Sequence, residues 1–302
     1  MIMDSFLDKT IYFSFDRTGF ERHSKKFDEI GHEQLVGRRF LVTGGTSGIG
    51  ESIVLELNKY KSETLFTGRK LRNKEIESNF VPLDLNDHEK VLNFAESLDS
   101  IDGIVLNAGG MPTEYGESYG YELQFSSQVL AHYLLVRRLI DLKKLNPSAH
   151  VIWMSSGGMY LAKFQKDLIR NSSSKYDKVA FYANSKRAQL IINDYLHQEF
   201  SNQGFKFSVM HPGWVDTSGV REAIPGFFNF TKNRLRSAYQ GGDTAVWLLS
   251  NKDVASGEFW FDRRVQKKVV FPWTKNTEAE RLDLVNTCET YYQSFCQNKK
   301  TD

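Results

Sequence analysis

Tyr182 and Lys186 lie four residues apart in a stretch with helical spacing, so both side chains are expected on one helix face. A phenol titrates near pH ~10 and is a poor acid at neutral pH. An ammonium beside it favours the phenolate and should lower that value. Ser156, just after an apolar run, adds a hydroxyl able to bond the same substrate oxygen. The three make a set for proton transfer to or from an oxygen while a cofactor moves a hydride. A Tyr and a Lys four apart on an amphipathic helix are common, so the pair gains weight only from the rest of the chain.

A second cluster offers such a cofactor a seat. Phe40 to Val42 reads as a short buried strand, and Ile53, Val54, Leu55 and Leu57 read as the buried face of a helix. Between them run Gly44, Thr46, Ser47, Gly48, Ile49 and Gly50. Gly44 permits a tight turn, and Gly50 permits close packing of helix on strand. The free N–H groups at that helix start favour a bound pyrophosphate. Arg69 follows Gly50 by 19 residues at the end of a second strand, with Lys70 beside it. An acidic residue there would hold ribose hydroxyls, whereas arginine suits a 2′-phosphate, so NADP(H) is expected over NAD(H). The plainer reading of Arg69 and Lys70 is two solvated loop charges.

The elements that must position these groups alternate between strand and helix. Strands are expected at 40–42, 63–67, 80–83, 103–107, 150–154, 205–210 and 258–261. Helices are expected to about 60, from 86 or 87 to 98, from 118 to 145 (apolar at 123, 130, 134, 135 and 139), and over 179–200 and 239–249. The stretch after the sixth strand reads as a loop, the connection between strands two and three as too short for a full helix, and the C-terminus as helical. Such alternation means an α/β fold with a doubly wound parallel sheet, whose ligands sit beyond the strands' C-terminal ends. Every unusual cluster falls at that edge, including Asp84, Asn107 to Gly110, Ser155-Ser156 and Pro212-Gly213.

At 302 residues the chain suits one large domain with extensions. Its net charge of +2 gives nucleic-acid binding no electrostatic support. Cys288 and Cys296 do not make a disulfide framework, so a reducing, cytoplasmic or other intracellular compartment is expected. No run is long enough to span a bilayer, and no secretory leader is seen. The aromatic and charged N-terminal extension is expected to pack on the domain, with peripheral membrane contact as the alternative. No metal ligand set is assigned.

Thr43-Gly-Gly-Thr-Ser-Gly-Ile-Gly50, Asn107-Ala-Gly-Gly110, Ser155-Ser156, Tyr182-Ala-Asn-Ser-Lys186 and Pro212-Gly213 together resemble the short-chain dehydrogenases/reductases over residues 38–262. Met154-Ser-Ser-Gly-Gly-Met159, Met210-His-Pro-Gly-Trp214, Asp216-Thr217, Gly219-Val220-Arg221 and Pro225-Gly-Phe227 resemble the dehydrogenase/reductase SDR family member 12-like group. The resemblance implies a single Rossmann domain over 37–265, flanked by extensions 1–36 and 266–302. It implies Tyr182 as general acid/base, Lys186 lowering its pKa and holding the nicotinamide ribose, and Ser156 orienting the substrate oxygen. It places Asp84 at the adenine with Leu85 beside it, and Asn107, Ala108 and Gly109 under the cofactor. Pro212, Gly213, Val215 and Thr217 would line the nicotinamide end. It also implies homodimers formed through helices.

Two departures stand out. Gln128 occupies the place of an asparagine that supports a proton relay. The gap from Ser156 to Tyr182 is 26 residues, about twice that usual in the family, and the extra loop of 159–178 should lie over the substrate cleft. The activity implied is NADP(H)-dependent interconversion of a small-molecule carbonyl and alcohol, the substrate being apolar from Trp214, Ile224, Pro225, Phe227, Phe228 and Phe230. The alternative is a cofactor-binding scaffold or sensor with little catalysis.

Overall fold

Runs of apolar residues that end in glycine or polar clusters become the strands of one sheet in the computed structural model, which describes residues 10–170 and 176–298. Two short helices come first, α1 (Ile11–Ser14) and α2 (Arg17–His23), the second capped by Asp16, whose carboxylate accepts from Gly19 N at 2.9 Å. Then follow β1 (Arg39–Val42), α3 (Gly48–Lys59), β2 (Glu63–Gly68), β3 (Phe80–Pro82), α4 (His88–Ser97) and β4 (Ile101–Leu106). A short ribbon, β5 (Glu117–Ser118) and β6 (Tyr121–Glu122), leads into α5 (Leu123–Phe125), a π turn at Ser126–Leu130 and α6 (Ala131–Asp141). The chain continues through β7 (Leu145–Met154), α7 (Lys178–Phe200), β8 (Lys206–Met210), α8 (Ser218–Ala223), α9 (Pro225–Thr231), α10 (Ala238–Ser250), β9 (Phe259–Phe261), β10 (Arg264–Gln266) and α11 (Glu278–Asn298).

The strand order is β10-β9-β8-β7-β4-β1-β2-β3, parallel throughout except for the β9–β10 pair. Successive residues on the central strands face opposite layers. Ile104 and Leu106 of β4 join one core with α4, α6 and α7, while Val105 joins the other with α3 and α10. Sequence order reverses between β1 and β4, and this is the crevice where doubly wound sheets bind ligands. The loops after both strands carry the glycine turn and Asn107.

The long helix expected from 118 to 145 is shorter at both ends. Tyr119 and Gly120 adopt positive φ and turn the ribbon, and Glu122 caps the first helical N–H groups at Gln124 and Phe125 (2.9 and 3.0 Å). At the far end Lys143 has positive φ, and β7 begins at Leu145, five residues ahead of expectation, pairing with Ile101 before an irregularity. The stretch after β8 holds α8 and α9 rather than open loop. The edge strand β10 was not expected. It turns back at Asp262 and Arg263, both with positive φ (48° and 58°), as a two-residue hairpin requires. The polar stretch 171–174 lies outside the described residues.

The part of the N-terminal extension from residue 10 onwards packs on the domain. Arg236 is fully buried and joins the two: it donates to Ser14 O (2.9 Å), Phe15 O (2.9 Å) and Asp16 O (3.1 Å), and bonds both carboxylate oxygens of Asp262 (2.6 and 2.8 Å). At the other end, Leu284, Val285, Cys288 and Tyr292 of α11 enter the core beside α6 and α7. Glu289 accepts from Arg137 Nε (3.1 Å), Tyr195 (2.9 Å) and Tyr133.

Candidate functional site

The glycine turn is built by close approach. Gly44 has φ +68°, and a Cβ added there would lie 2.8 Å from Ala108 Cα. At Gly50 an added Cβ would lie 2.2 Å from Gly44 O. Asn107 Nδ2 donates to Thr43 O (3.0 Å) and Gly44 O (3.1 Å), so its amide clamps the ends of β1 and β4 together. Ser47 stands extended at the start of α3, and no side chain caps that helix. The first N–H groups of Gly48, Ile49 and Gly50 therefore point outward without an intrahelical acceptor. Thr46 packs over Gly68 at the end of β2, where Arg69 and Lys70 are exposed. Arg69 makes no hydrogen bond or ion pair among the described residues.

Asp84 lies exposed after β3, and its carboxylate accepts from Asn86 N at 2.9 Å, which shapes the turn into α4; Leu85 beside it is buried. Thr217 caps α8 through Val220 N (3.2 Å), and its methyl approaches Gly48, which has φ +58°. Val215 packs against Gly241 near Ile49. These contacts bring the loop after β8 over the glycine turn. Gly213 also answers a packing demand of its own. With φ +76°, it leaves room for Arg236, whose Nε would lie 2.4 Å from an added Cβ, and for Phe15 O at 2.7 Å. Pro212 O accepts from Arg236 Nη1 at 3.5 Å. Both therefore pack against the Arg236 guanidinium that holds the N-terminal segment.

Tyr182, Lys186 and Ser156 come together as the sequence predicts. Ser156 follows β7, and α7 starts late enough to carry Tyr182 in its first turns. The Ser156 hydroxyl lies near the Tyr182 phenol and favours its ionised form, and its oxygen accepts from Gly158 N at 3.2 Å. Lys186 is 2% exposed, its Nζ 5.2 Å from the Tyr182 ring centroid and 2.9 Å from Met154 O, to which it donates. Ser155 Oγ fixes the same helix turn by donating to Lys186 O at 3.0 Å.

Burial works against the expected lowering of the phenol pKa. Burial pushes Tyr182 up to about 12, only partly opposed by the nearby Ser156 hydroxyl. Burial also pushes Lys186 down to about 7. Burial penalises both charged forms, the phenolate and the ammonium.

Gln128 sits in the π turn. Its Nε2 donates to Gly110 O at 2.8 Å, and its Oε1 is buried without a partner. An added Cβ at Gly109 would meet that Oε1 at 2.7 Å and Lys186 Nζ at 3.5 Å, so the glycine leaves the two groups facing one space. The Gln128 carbonyl is already occupied by Gln189 Nε2 (2.9 Å) and His132 Nδ1 (3.1 Å).

His132 and Thr43 were missed by sequence reasoning. A carbonyl only accepts, so His132 carries its proton on Nδ1 and its Nε2 accepts from Thr43 Oγ1 at 2.9 Å. Thr43 Oγ1 accepts in turn from Ala108 N at 3.1 Å. Burial holds His132 down to about 3, so it stays neutral. A lone histidine within an apolar helical run gave no signal of this link. Phe15 and Arg236 were missed as well, being far from the site in sequence.

Comparison with known proteins bears on this arrangement. A short chain dehydrogenase family model matches residues 38–225. The human dehydrogenase/reductase SDR family member 12 is 32% identical over 305 residues, covering 93% of this chain and 95% of its own. Human retinol dehydrogenase 12 is 25% identical over 272 residues, covering 82% and 85%. Among solved structures, a short chain dehydrogenase family protein from Francisella tularensis superposes with TM-score 0.59 at 21% identity, over 74% of this chain and 95% of its own. The Pseudomonas aeruginosa RhlG/NADP active-site complex does so with TM-score 0.60 at 19% identity, over 77% and 96%. Those two likenesses speak to the fold alone. No helix among the described residues is long and apolar enough to cross a membrane. The matched region spans the glycine turn, Ser156, Tyr182 and Lys186, and the chain belongs to the short-chain dehydrogenase/reductase family of oxidoreductases.

Proposed function

We propose that the protein interconverts a carbonyl and an alcohol using NADP(H), with Tyr182 as the proton donor and acceptor. The observation that carries this is the meeting of Ser156, Tyr182 and Lys186 beside an uncapped helix start at the sheet's switch point. The cradle fits a dinucleotide: Gly44 and Gly50 leave no Cβ in the way, and α3 offers free N–H groups to a pyrophosphate. Exposed Arg69, with no partner among the described residues, suits a 2′-phosphate. A bound nicotinamide supplies or accepts the hydride. Thr217 and Val215 would close over its ring end, and Asn107, Ala108 and Gly109 would support it from below.

Ser156 Oγ would donate to the substrate oxygen and fix its position. Tyr182, neutral at pH 7, would give its proton to that oxygen in the reducing direction. Lys186 would share the proton traffic through the space it faces with Gln128 Oε1, because the Gln128 carbonyl has no lone pair left for a water. Tyr182→Phe is expected to cut turnover by about 100-fold or more while NADPH binding stays unchanged. A substrate screen read by NADPH absorbance, together with a binding titration, checks both halves. Turnover that survives in the variant rejects the role of Tyr182.

A scaffold with little catalysis is the second reading. The occupied Gln128 carbonyl and the Lys186 ammonium held on Met154 O favour it. NADPH binding without turnover on any carbonyl or alcohol would select it.

A further inference from the structure

The family match begins at residue 38, and the segment before it reaches the working end of the sheet. Trp214 N donates to Phe15 O at 2.8 Å, and Arg17 N donates to Arg234 O at 2.8 Å. The Phe15 ring lies on Gly157, where an added Cβ would stand 2.4 Å from it. Gly157 directly follows Ser156, so this ring sets one side of the turn that holds the substrate-facing hydroxyl.

From there aromatic rings lead outward. Phe15 stands 6.2 Å from Trp214, Trp214 5.9 Å from Tyr12, and Tyr12 6.1 Å from Phe230, with Phe227 5.1 Å from Trp214. Phe15 is buried, Tyr12 and Trp214 are half-buried, and Phe230 is 75% exposed. Arg234 fixes the segment in place: its guanidinium stacks 4.8 Å from the Tyr12 ring and pairs with the buried Asp16. An apolar row that begins beside the reacting position and ends in water marks a binding surface more readily than a core. Its rigid anchoring means that little ordering is needed when a ligand arrives.

We propose that this N-terminal strap is the specificity element of the enzyme. Tyr12 and Phe230 form the outer wall of the substrate cleft. They select a carbonyl compound whose apolar tail runs from Ser156 along Trp214 to the rim. This rests on the carbonyl/alcohol reading of the site.

The test uses the full chain with NADPH and two aldehydes, hexanal and dodecanal, on wild type, Tyr12→Ala and Phe230→Ala. The KM for dodecanal should rise about tenfold in each variant, while that for hexanal moves less than about twofold, with kcat and NADPH affinity unchanged. Phe230 is at the exposed rim, so its variant keeps the fold even where Tyr12→Ala does not. Equal changes for both aldehydes, or none, overturn the proposal. If wild type reduces neither aldehyde, the proposed activity fails, and the strap is judged by calorimetric binding of dodecanol and hexanol to the NADPH-loaded protein. Weaker binding of dodecanol alone in the variants upholds it; unchanged binding overturns it.

Discussion

Tyr182 and Lys186 show how one environment acts on two titrating groups in opposite directions. Burial raises the phenol to about 12 and lowers the amine to about 7, so each drifts towards its neutral form. A neutral phenol is the form that donates a proton, which fits the reducing direction at pH 7. An arriving anionic cofactor would favour the Lys186 ammonium. Arg69 acts by exposure instead. It is exposed and has no hydrogen-bond or ion-pair partner among the described residues, which would leave its charge free for a 2′-phosphate. Arg69→Asp is expected to weaken NADPH binding about tenfold or more and leave NADH binding within about twofold, as measured by fluorescence titration. Equal losses for both cofactors would remove Arg69 from the 2′-phosphate site.

Among the elements, the segment from β6 to α6 does the most to tune the site. The π turn places Gln128 with its carbonyl inward to His132 and Gln189 and its amide beside Lys186. Glu122 starts the segment, 1% exposed, with one oxygen capping two N–H groups and Oε1 unpartnered. Burial raises its pKa from 4.5 to about 7. A raised folded value means that its stabilising contribution is complete below the unfolded value and is lost as pH rises through the folded one. Glu122→Gln keeps an oxygen for the cap and cannot ionise. Wild type should therefore lose thermal stability relative to this variant between about pH 5 and pH 8. Parallel melting curves for the two proteins would reject this ionisation. The β9–β10 hairpin is likewise set by charge: Asp262 and Arg263 accept left-handed φ without a glycine because Arg236 and Asp243 hold them.

Across the whole molecule, the described segments on either side of the domain are tied back onto it. Arg236 is the knot of the N-terminal side, sharing Asp262 with His23 at 2.6 Å. Removing one partner of a buried pair leaves the other charge unmatched. Arg236→Leu should therefore cost about 3–5 kcal/mol, read as a lower urea midpoint with unchanged slope. It should also release the strap, so that protease cleavage before residue 38 speeds up. A loss below about 1 kcal/mol would mean that the strap is held by its aromatic contacts alone. At the other end, α11 lies along α6 and α7 and covers that face with its own side chains. The Glu289 cluster with Tyr133, Arg137 and Tyr195 fixes it there.

The sequence alone determined the alternation of strand and helix, the doubly wound sheet, the glycine turn, and the Ser156, Tyr182 and Lys186 set. Each of these is written locally, in apolar runs, in glycines at close approaches and in a four-residue helical spacing. The tertiary structure decided the rest. It turned the start of the long helix into a ribbon, added β10, and directed Gly213 towards Arg236. It set burial against the expected lowering of the phenol pKa, and Phe15 against the residue after Ser156. Those outcomes depend on desolvation and on partners more than a hundred residues away, as with Arg236 and the strap. A local pattern carries no record of which distant groups will share a dry site, and burial sets both the charge state and the company of a side chain.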